Sequence, residues 1–189
     1  MLNFITPISE KHSYNNFSMK ENSHVTKINL RGNLQNKEFV NKVGKILGMI
    51  LPEDACNISK KKEINSLWLG PNEWLIVSNN EISKETNTYE LEQLLFNEIS
   101  KGNLGSVTDV TDQFTIFSLS GSNIFEILSK GSPFDFGSGD FGDNKVVQTI
   151  LNHVDVTIHK KNENNVDLYV RRSFSNHLWN WLKDSANLI

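Results

Sequence analysis

Apolar positions are sparse through the first 24 residues and fall into regular periods after them. Phe4, Ile5, Tyr14 and Phe17 stand isolated in a polar, Asn- and Ser-rich stretch. That pattern predicts a flexible N-terminal arm over residues 1–24, and its scattered aromatics leave open an arm that orders on a partner. From residue 25 onward the chain reads as one two-lobed domain. His24–Arg31 is a strand with Val25, Ile28 and Leu30 apolar, ended by Gly32. Lys37–Ile50 is an amphipathic helix, because Phe39, Val40, Val43, Ile46, Leu47 and Ile50 recur at helical spacing behind an Asn36 cap. Gly44 and Gly48, one turn apart, suggest close packing against a neighbour, and Pro52 with the Lys60–Glu63 charge run marks a loop. Two apolar strands, Ser66–Leu69 and Trp74–Val77, flank Gly70-Pro71-Asn72-Glu73, whose Pro, Gly and Asn make turn chemistry. A second helix follows at about Thr88–Ser100, with Leu91, Leu94, Leu95 and Ile99 as its stripe and Asn87 and Glu90 placed as a capping box.

The second half repeats that order. Ser106–Ser120 is strand-like and apolar on both faces around Phe114–Leu119, which predicts a central, buried strand. Gly121 opens a helix with Ser122 or Asn123 as its cap, and Lys130-Gly131 ends it. Val146–Leu151, then Val154, Val156 and Ile158, then Leu168 and Val170 give strand alternation. Asn176–Asn187 is the last helix, with Ser175 as N-cap. Leu178, Trp179, Trp181, Leu182 and Ile189 cover about half its circumference at ~100° per residue. Such a wide stripe fits a helix covered on more than one side. Each half therefore reads as strand–helix–hairpin–helix, and the fold class is α+β, two fused ferredoxin-like βαββα lobes.

Composition narrows the function. The 189 residues carry a net charge of −3, which disfavours a nucleic-acid partner. No basic-then-apolar leader is visible at Met1–Pro7, and no apolar run approaches the ~20 residues that span a bilayer, so the expectation is a cytoplasmic protein without a membrane contact. A single cysteine, Cys56, excludes a disulfide framework within the chain and sits in a polar loop unsuited to a nucleophile.

Candidate chemistry is thin. Gly137-Ser138-Gly139-Asp140-Phe141-Gly142 spells G-x-G-x-x-G, but a dinucleotide site needs a strand before it and a helix after it. Here a helix and Pro133 precede, and the β-branched Val146–Ile150 follows, so a flexible Gly/Asp loop is expected. His12, His24, His153, His159 and His177 show no ligand spacing. Asp109 and Asp112 could pair for acid–base work, yet nothing nearby in sequence supplies a nucleophile or an oxyanion donor. No catalytic, cofactor-binding or metal-binding residue is assigned on this chain. Two tryptophan-bearing segments stand out instead, Leu69–Leu75 and Arg171–Leu182. Tryptophan is enriched at interface hot spots though core is its commoner fate, and the arginine pair before a helix N-terminus suits an anion or an ion pair to a partner; Trp74, Arg171, Arg172 and Trp181 are the candidate interface residues.

Five ordered stretches resemble the gamma subunit of heterotetrameric sarcosine oxidase. They are Leu69-Gly70-Pro71-Asn72-Glu73-Trp74-Leu75, Asp109-Val110-Thr111-Asp112-Gln113, Leu119–Asp135, Gln148-Thr149, and Arg171-Arg172-Ser173-Phe174 with Leu178–Leu182. Ser132 departs from the cysteine that the family often carries there, and neither the first 24 residues nor the Asp54–Glu63 loop matches. The resemblance implies a non-catalytic subunit held by alpha, beta and delta partners. Their complex oxidatively demethylates sarcosine to glycine, forms hydrogen peroxide, and passes the one-carbon unit to tetrahydrofolate or releases formaldehyde. FAD, FMN, NAD and tetrahydrofolate are then expected on the partner subunits and none on this chain. The fold implied is similar to the folate-binding domain of aminomethyltransferases, which leaves a free-standing folate-binding one-carbon protein as the alternative.

Overall fold

A computed structural model of the chain describes residues 5–81 and 90–189. The chain divides into two compact units, Ser23–Thr111 and a second that joins Ile5–Asn22 to Asp112–Ile189. In chain order the first strands are β1 (Lys11–Tyr14) and β2 (Phe17–Glu21). The Ser23–Thr111 unit then runs β3 (Val25–Gly32), α1 (Lys37–Leu47), β4 (Ile58–Lys61), β5 (Ile64–Gly70), β6 (Glu73–Glu81), α2 (Glu90–Leu95) and β7 (Gly105–Asp109). The other unit continues with β8 (Phe114–Ser120), α3 (Ile124–Ser129), β9 (Lys145–Leu151), β10 (Val154–Asn162), β11 (Asn165–Arg171) and α4 (Ser175–Ala186). The fold class is mixed α+β on two sheets.

In the Ser23–Thr111 unit the described strands form one antiparallel sheet in the order β4-β5-β6-β3-β7. Without the edge strand β4, the run β3–α1–β5–β6–α2–β7 is the ferredoxin-like βαββαβ arrangement. The segment Ile58–Lys61, read from its charges as loop, pairs with Leu67 through Ile64 as that added edge. Its lysines suit an edge, where charge discourages further strand pairing. Asn36 caps α1 as its position predicts, its Oδ1 accepting from the Glu38 and Phe39 amides at 3.0 and 3.4 Å. The helix ends at Leu47, short of Ile50, because Gly48 adopts the left-handed C-cap conformation and bonds back to Gly44. Gly48 is thus a terminator and not a packing surface. Phe39, Val43 and Leu47 from α1 meet Ile28, Leu30, Trp74 and Ile76 from the sheet and Leu95 and Ile99 from the second helix. That helix leaves α2 through a π-turn, Phe96–Ser100, which keeps Ile99 on the core side. Asn87 and Thr88, where its cap and start were expected, lie outside the described residues.

In the other unit the order is β1-β2-β8-β11-β10-β9, again antiparallel among the described strands. Here β8–α3–β10–β11–α4 reproduces the ferredoxin-like run, β9 adds an edge, and β2 occupies the place that β7 holds in the first unit. The arm expected over residues 1–24 is therefore not free over 11–21. Phe17 and Met19 are buried in the same core as Phe117, Leu119, Val166 and Leu168. Met19 lies opposite Leu119 in the register, and Ser18 opposite Ser120, with the two hydroxyls 2.6 Å apart. The β1–β2 turn presses the Asn16 carbonyl against Gly121, whose φ of 127° and missing Cβ leave room for that backbone.

The single strand read over Ser106–Ser120 is two strands, β7 and β8, in different sheets. Asp109 Oδ1 accepts from the Thr111 amide at 2.9 Å, and the Thr111 hydroxyl accepts from the Lys27 amide at 3.0 Å. These side-chain bonds break the run that apolar content alone made continuous.

Candidate interface segments

The Gly70–Glu73 turn joins β5 to β6, and its polar groups are turned to the first unit's own use. The Glu73 carboxylate accepts from Asn29 Nδ2 at 2.7 Å and from Arg31 Nη2 at 2.8 Å. The Asn72 carbonyl accepts from the Gly32 amide at 3.1 Å. Trp74 has 0% exposure, and its indole N–H donates to the Pro52 carbonyl at 2.9 Å. Its ring lies 6.1 Å from that of Phe39. A side chain with no surface cannot anchor a partner, so Trp74 is a core residue and leaves the interface set. Pro71 and Asn72 are the exposed residues of the turn. With Arg31, Asn33, Leu104 and Ser106 they border a depression of 440 Å³.

In the second unit, β11 runs straight into a 3-10 turn, Arg172–Phe174, and then α4. The two arginines diverge. Arg172 donates from its guanidinium to the Ile5 carbonyl, lies 4.0 Å from the Asp112 carboxylate, and gives its amide to the Gln113 carbonyl at 2.8 Å. Arg171 is exposed, and its guanidinium makes no hydrogen bond or ion pair among the described residues. Phe174, 46% exposed, lies three residues on. Ser175, placed as a cap by its position, is inside α4; its buried hydroxyl donates to Thr115 Oγ1 at 2.8 Å. Leu178, Trp179, Leu182 and Ala186 are buried, whereas Trp181 is half-buried against Gly131. A Cβ on Gly131 would stand 2.6 Å from the Trp181 ring. Of the four candidate residues, Arg171 presents a free polar group and Trp181 part of a ring.

The remaining motifs take structural places. The Gly137–Gly142 loop is no loose tether. Phe136 and Phe141 are buried, and with Phe125 and Phe134 they form a cluster of rings 5.1 to 6.2 Å apart. Lys160 lies 5.1 Å from the Phe125 ring and 5.5 Å from Phe141, and donates to the Phe141 carbonyl at 2.8 Å. The loop leads into β9, a strand. Sequence reading missed this cluster; four phenylalanines between Phe125 and Phe141 were the available signal. Asp109 has Glu92 as an electrostatic neighbour: burial, and then the Asp109 charge, raises the Glu92 carboxyl above its ordinary value. Cys56 is exposed. Among the described residues no group of three His, Cys, Asp or Glu side chains is placed to hold a metal ion, and no helix is long and apolar enough to cross a membrane.

These geometries define a two-sheet α+β chain. The same fold is found in the crystal structure of glycine cleavage system aminomethyltransferase T from Bartonella henselae, at a TM-score of 0.58 and 14% identity over 88% of this chain and 45% of that one. Heterotetrameric sarcosine oxidase from Corynebacterium sp. U-96, in complex with pyrrole 2-carboxylate, contains a chain that matches at a TM-score of 0.80 and 23% identity, over 90% of this chain and 84% of that one. Residues 31–187 match the sarcosine oxidase, gamma subunit family, and the chain belongs to that family. Sarcosine oxidase subunit gamma of Corynebacterium sp. strain U-96 is 29% identical over 125 residues, 64% of this chain. The chain spans 55% of that relative's length.

Proposed function

We propose that this chain is the gamma subunit of a heterotetrameric sarcosine oxidase, a non-catalytic element that packs against alpha, beta and delta partners. The carrying observation is the family match over residues 31–187. The distribution of chemistry supports the non-catalytic role. Trp74, the Glu73 network and Arg172 are consumed in holding each unit together, while Arg171, Phe174 and part of Trp181 remain at the surface. On this reading the complex is cytoplasmic and demethylates sarcosine to glycine, forming hydrogen peroxide and transferring the one-carbon unit to tetrahydrofolate or releasing formaldehyde. FAD, FMN, NAD and tetrahydrofolate reside on the partner chains.

Co-expression with the alpha, beta and delta subunits tests the proposal. Native mass spectrometry should find this chain in one flavin-coloured complex. If the other three subunits assemble with full sarcosine-dependent peroxide formation while this chain elutes alone, the proposal fails. Arg171→Ala should weaken incorporation while leaving the isolated chain's melting temperature unchanged, since the Arg171 side chain has no partner among the described residues to lose.

A further inference from the structure

In the unit built from Ile5–Asn22 and Asp112–Ile189, β1, β2 and β8 carry lysines and small hydroxyls on one face of the sheet, and β11 and β10 add Asp167 and Lys161. Alternation places Ser18 and Lys20 opposite the core residues Phe17 and Met19, and Ser118 and Ser120 opposite Phe117 and Leu119. Together with Lys11, Lys161 and Asp167 they line a groove of 390 Å³. Lys161 is neutralised there: it lies 2.6 Å from Asp167 Oδ2, and the other oxygen of that buried carboxylate accepts from Ser118 Oγ at 2.6 Å. Lys11 and Lys20 are different. They stand directly opposite each other in the β1–β2 register, both exposed, and neither ammonium makes an ion pair or hydrogen bond among the described residues. Like charges facing across strands are destabilising, and an anion placed between them removes that cost. Three ammonium groups against one carboxylate make the groove locally basic on a chain whose net charge is −3.

We infer that this groove seats an extended acidic segment of a partner chain, with an Asp or Glu carboxylate between Lys11 and Lys20. The shape favours a segment over a small anion. A site for one phosphate gathers its donors about a point, whereas these hydroxyls and lysines lie on β1, β2, β8 and β10, four strand spacings from end to end or about 19 Å. In addition β1 is the edge of the sheet, so a segment there also meets unpaired backbone groups. A partner chain as occupant rests on the subunit reading; the anion preference of the groove does not.

The test uses the full chain, with a hexaglutamate peptide and inorganic phosphate as probes, and the charge-reversed pair Lys11→Glu/Lys20→Glu. Wild type should bind the peptide at low ionic strength and release it in high salt, phosphate should compete poorly, and the reversed pair should bind about tenfold more weakly or worse. Should charge reversal perturb the fold by circular dichroism, Lys11→Gln/Lys20→Gln decides, with an intermediate loss expected. No peptide binding, equal binding by the variants, or displacement by phosphate as effective as by peptide overturns the proposal. Incorporation into the oxidase separates the two readings. Reversed chains that assemble at the wild-type rate and salt dependence sink the groove as a docking site while the subunit reading stands. Wild-type chains that bind peptide but never join the oxidase sink the subunit reading and leave the groove an acidic-segment site.

Discussion

The two units follow one recipe and finish it from opposite directions. In Ser23–Thr111 the strand beside β3 is β7, which follows the second helix as the ferredoxin-like order requires. In the other unit the equivalent place beside β8 is taken by β2, from the far side of the first unit in sequence. The pairing of Met19 with Leu119 closes a loop of about a hundred residues, which costs more entropy than a shorter closure but only logarithmically more. Sheet order is therefore a property of what needs covering, and chain order decides only who covers it. A short polar stretch with two well-spaced apolar residues suffices when the edge it meets is apolar on the matching face.

That comparison can be broken most sharply at Phe17. Phe17→Ala should cost about 3–5 kcal/mol, the range for emptying a large buried side chain, and should unfold the second unit ahead of the first in urea. A change within about 0.5 kcal/mol would mean that residues 11–21 behave as a surface arm after all. In the first unit, Trp74→Phe should destabilise by about 1–3 kcal/mol, because the buried Pro52 carbonyl loses its donor. Thermal melting of the isolated chain reads this directly; a variant that melts normally but no longer assembles would restore Trp74 as an interface residue.

A pH test sharpens the contrast from the second unit's side. Burial, and then the Asp167 charge, pushes the Tyr169 hydroxyl well above its ordinary value of 10.0. A folded value raised above the unfolded one gives stability that is fully present below about pH 10 and lost as pH rises through the folded value. Tyr169→Phe should flatten the fall in melting temperature above pH 10, and an unchanged alkaline slope would assign that fall to other groups. The smallest effect belongs to Arg31→Ala. Arg31 is 55% exposed in its side chain, so losing its pair with Glu73 should cost less than about 1 kcal/mol in the first unit and nothing in the second. A larger loss in a urea titration would show that the Gly70–Glu73 turn depends on that pair.

Strong, repeated periodicity was legible residue by residue. The Phe39–Leu47 stripe with its Asn36 cap, the Gly-Pro-Asn-Glu turn, and the alternation of Val154, Val156 and Ile158 all fold as their spacing predicts. What misled was short or ambiguous signal. Ile58–Lys61 carries one apolar residue, so nothing in it announces an edge strand. Phe114–Leu119 and Gly105–Asp109 read as one strand because the break between them lies in hydrogen bonds from Asp109 and Thr111, which apolar counting does not register. Gly137–Gly142 read as loose because its glycines outnumber its one phenylalanine. The loop is held by Phe141 inserting among Phe125, Phe134 and Phe136, with Lys160 reaching in from β10.

The candidate interface divides along the same line. Leu69–Leu75 and Arg171–Leu182, the segments the sequence singles out, both sit at turns that place polar groups at the surface. It could not say which members face outward. Trp74 and Trp181 are alike as residues; one is closed over by Phe39 and Pro52, the other half-covers Gly131 and keeps part of its ring in solvent.

By itself, then, the order of residues determined the strongly periodic elements, the repeated strand–helix–hairpin–helix plan and the family, because each depends on spacing along the chain. Only the tertiary structure decided that residues 11–21 complete a sheet, that Trp74 is core while Arg171 is free, and that Lys11 and Lys20 share a groove with Lys161. Those facts depend on contacts far apart in the chain, Trp74 with Pro52 and Phe39 and, across about a hundred residues, Met19 with Leu119. Two apolar side chains and one glycine at the meeting point carry too little periodic signal to be read before the partner strand is in place.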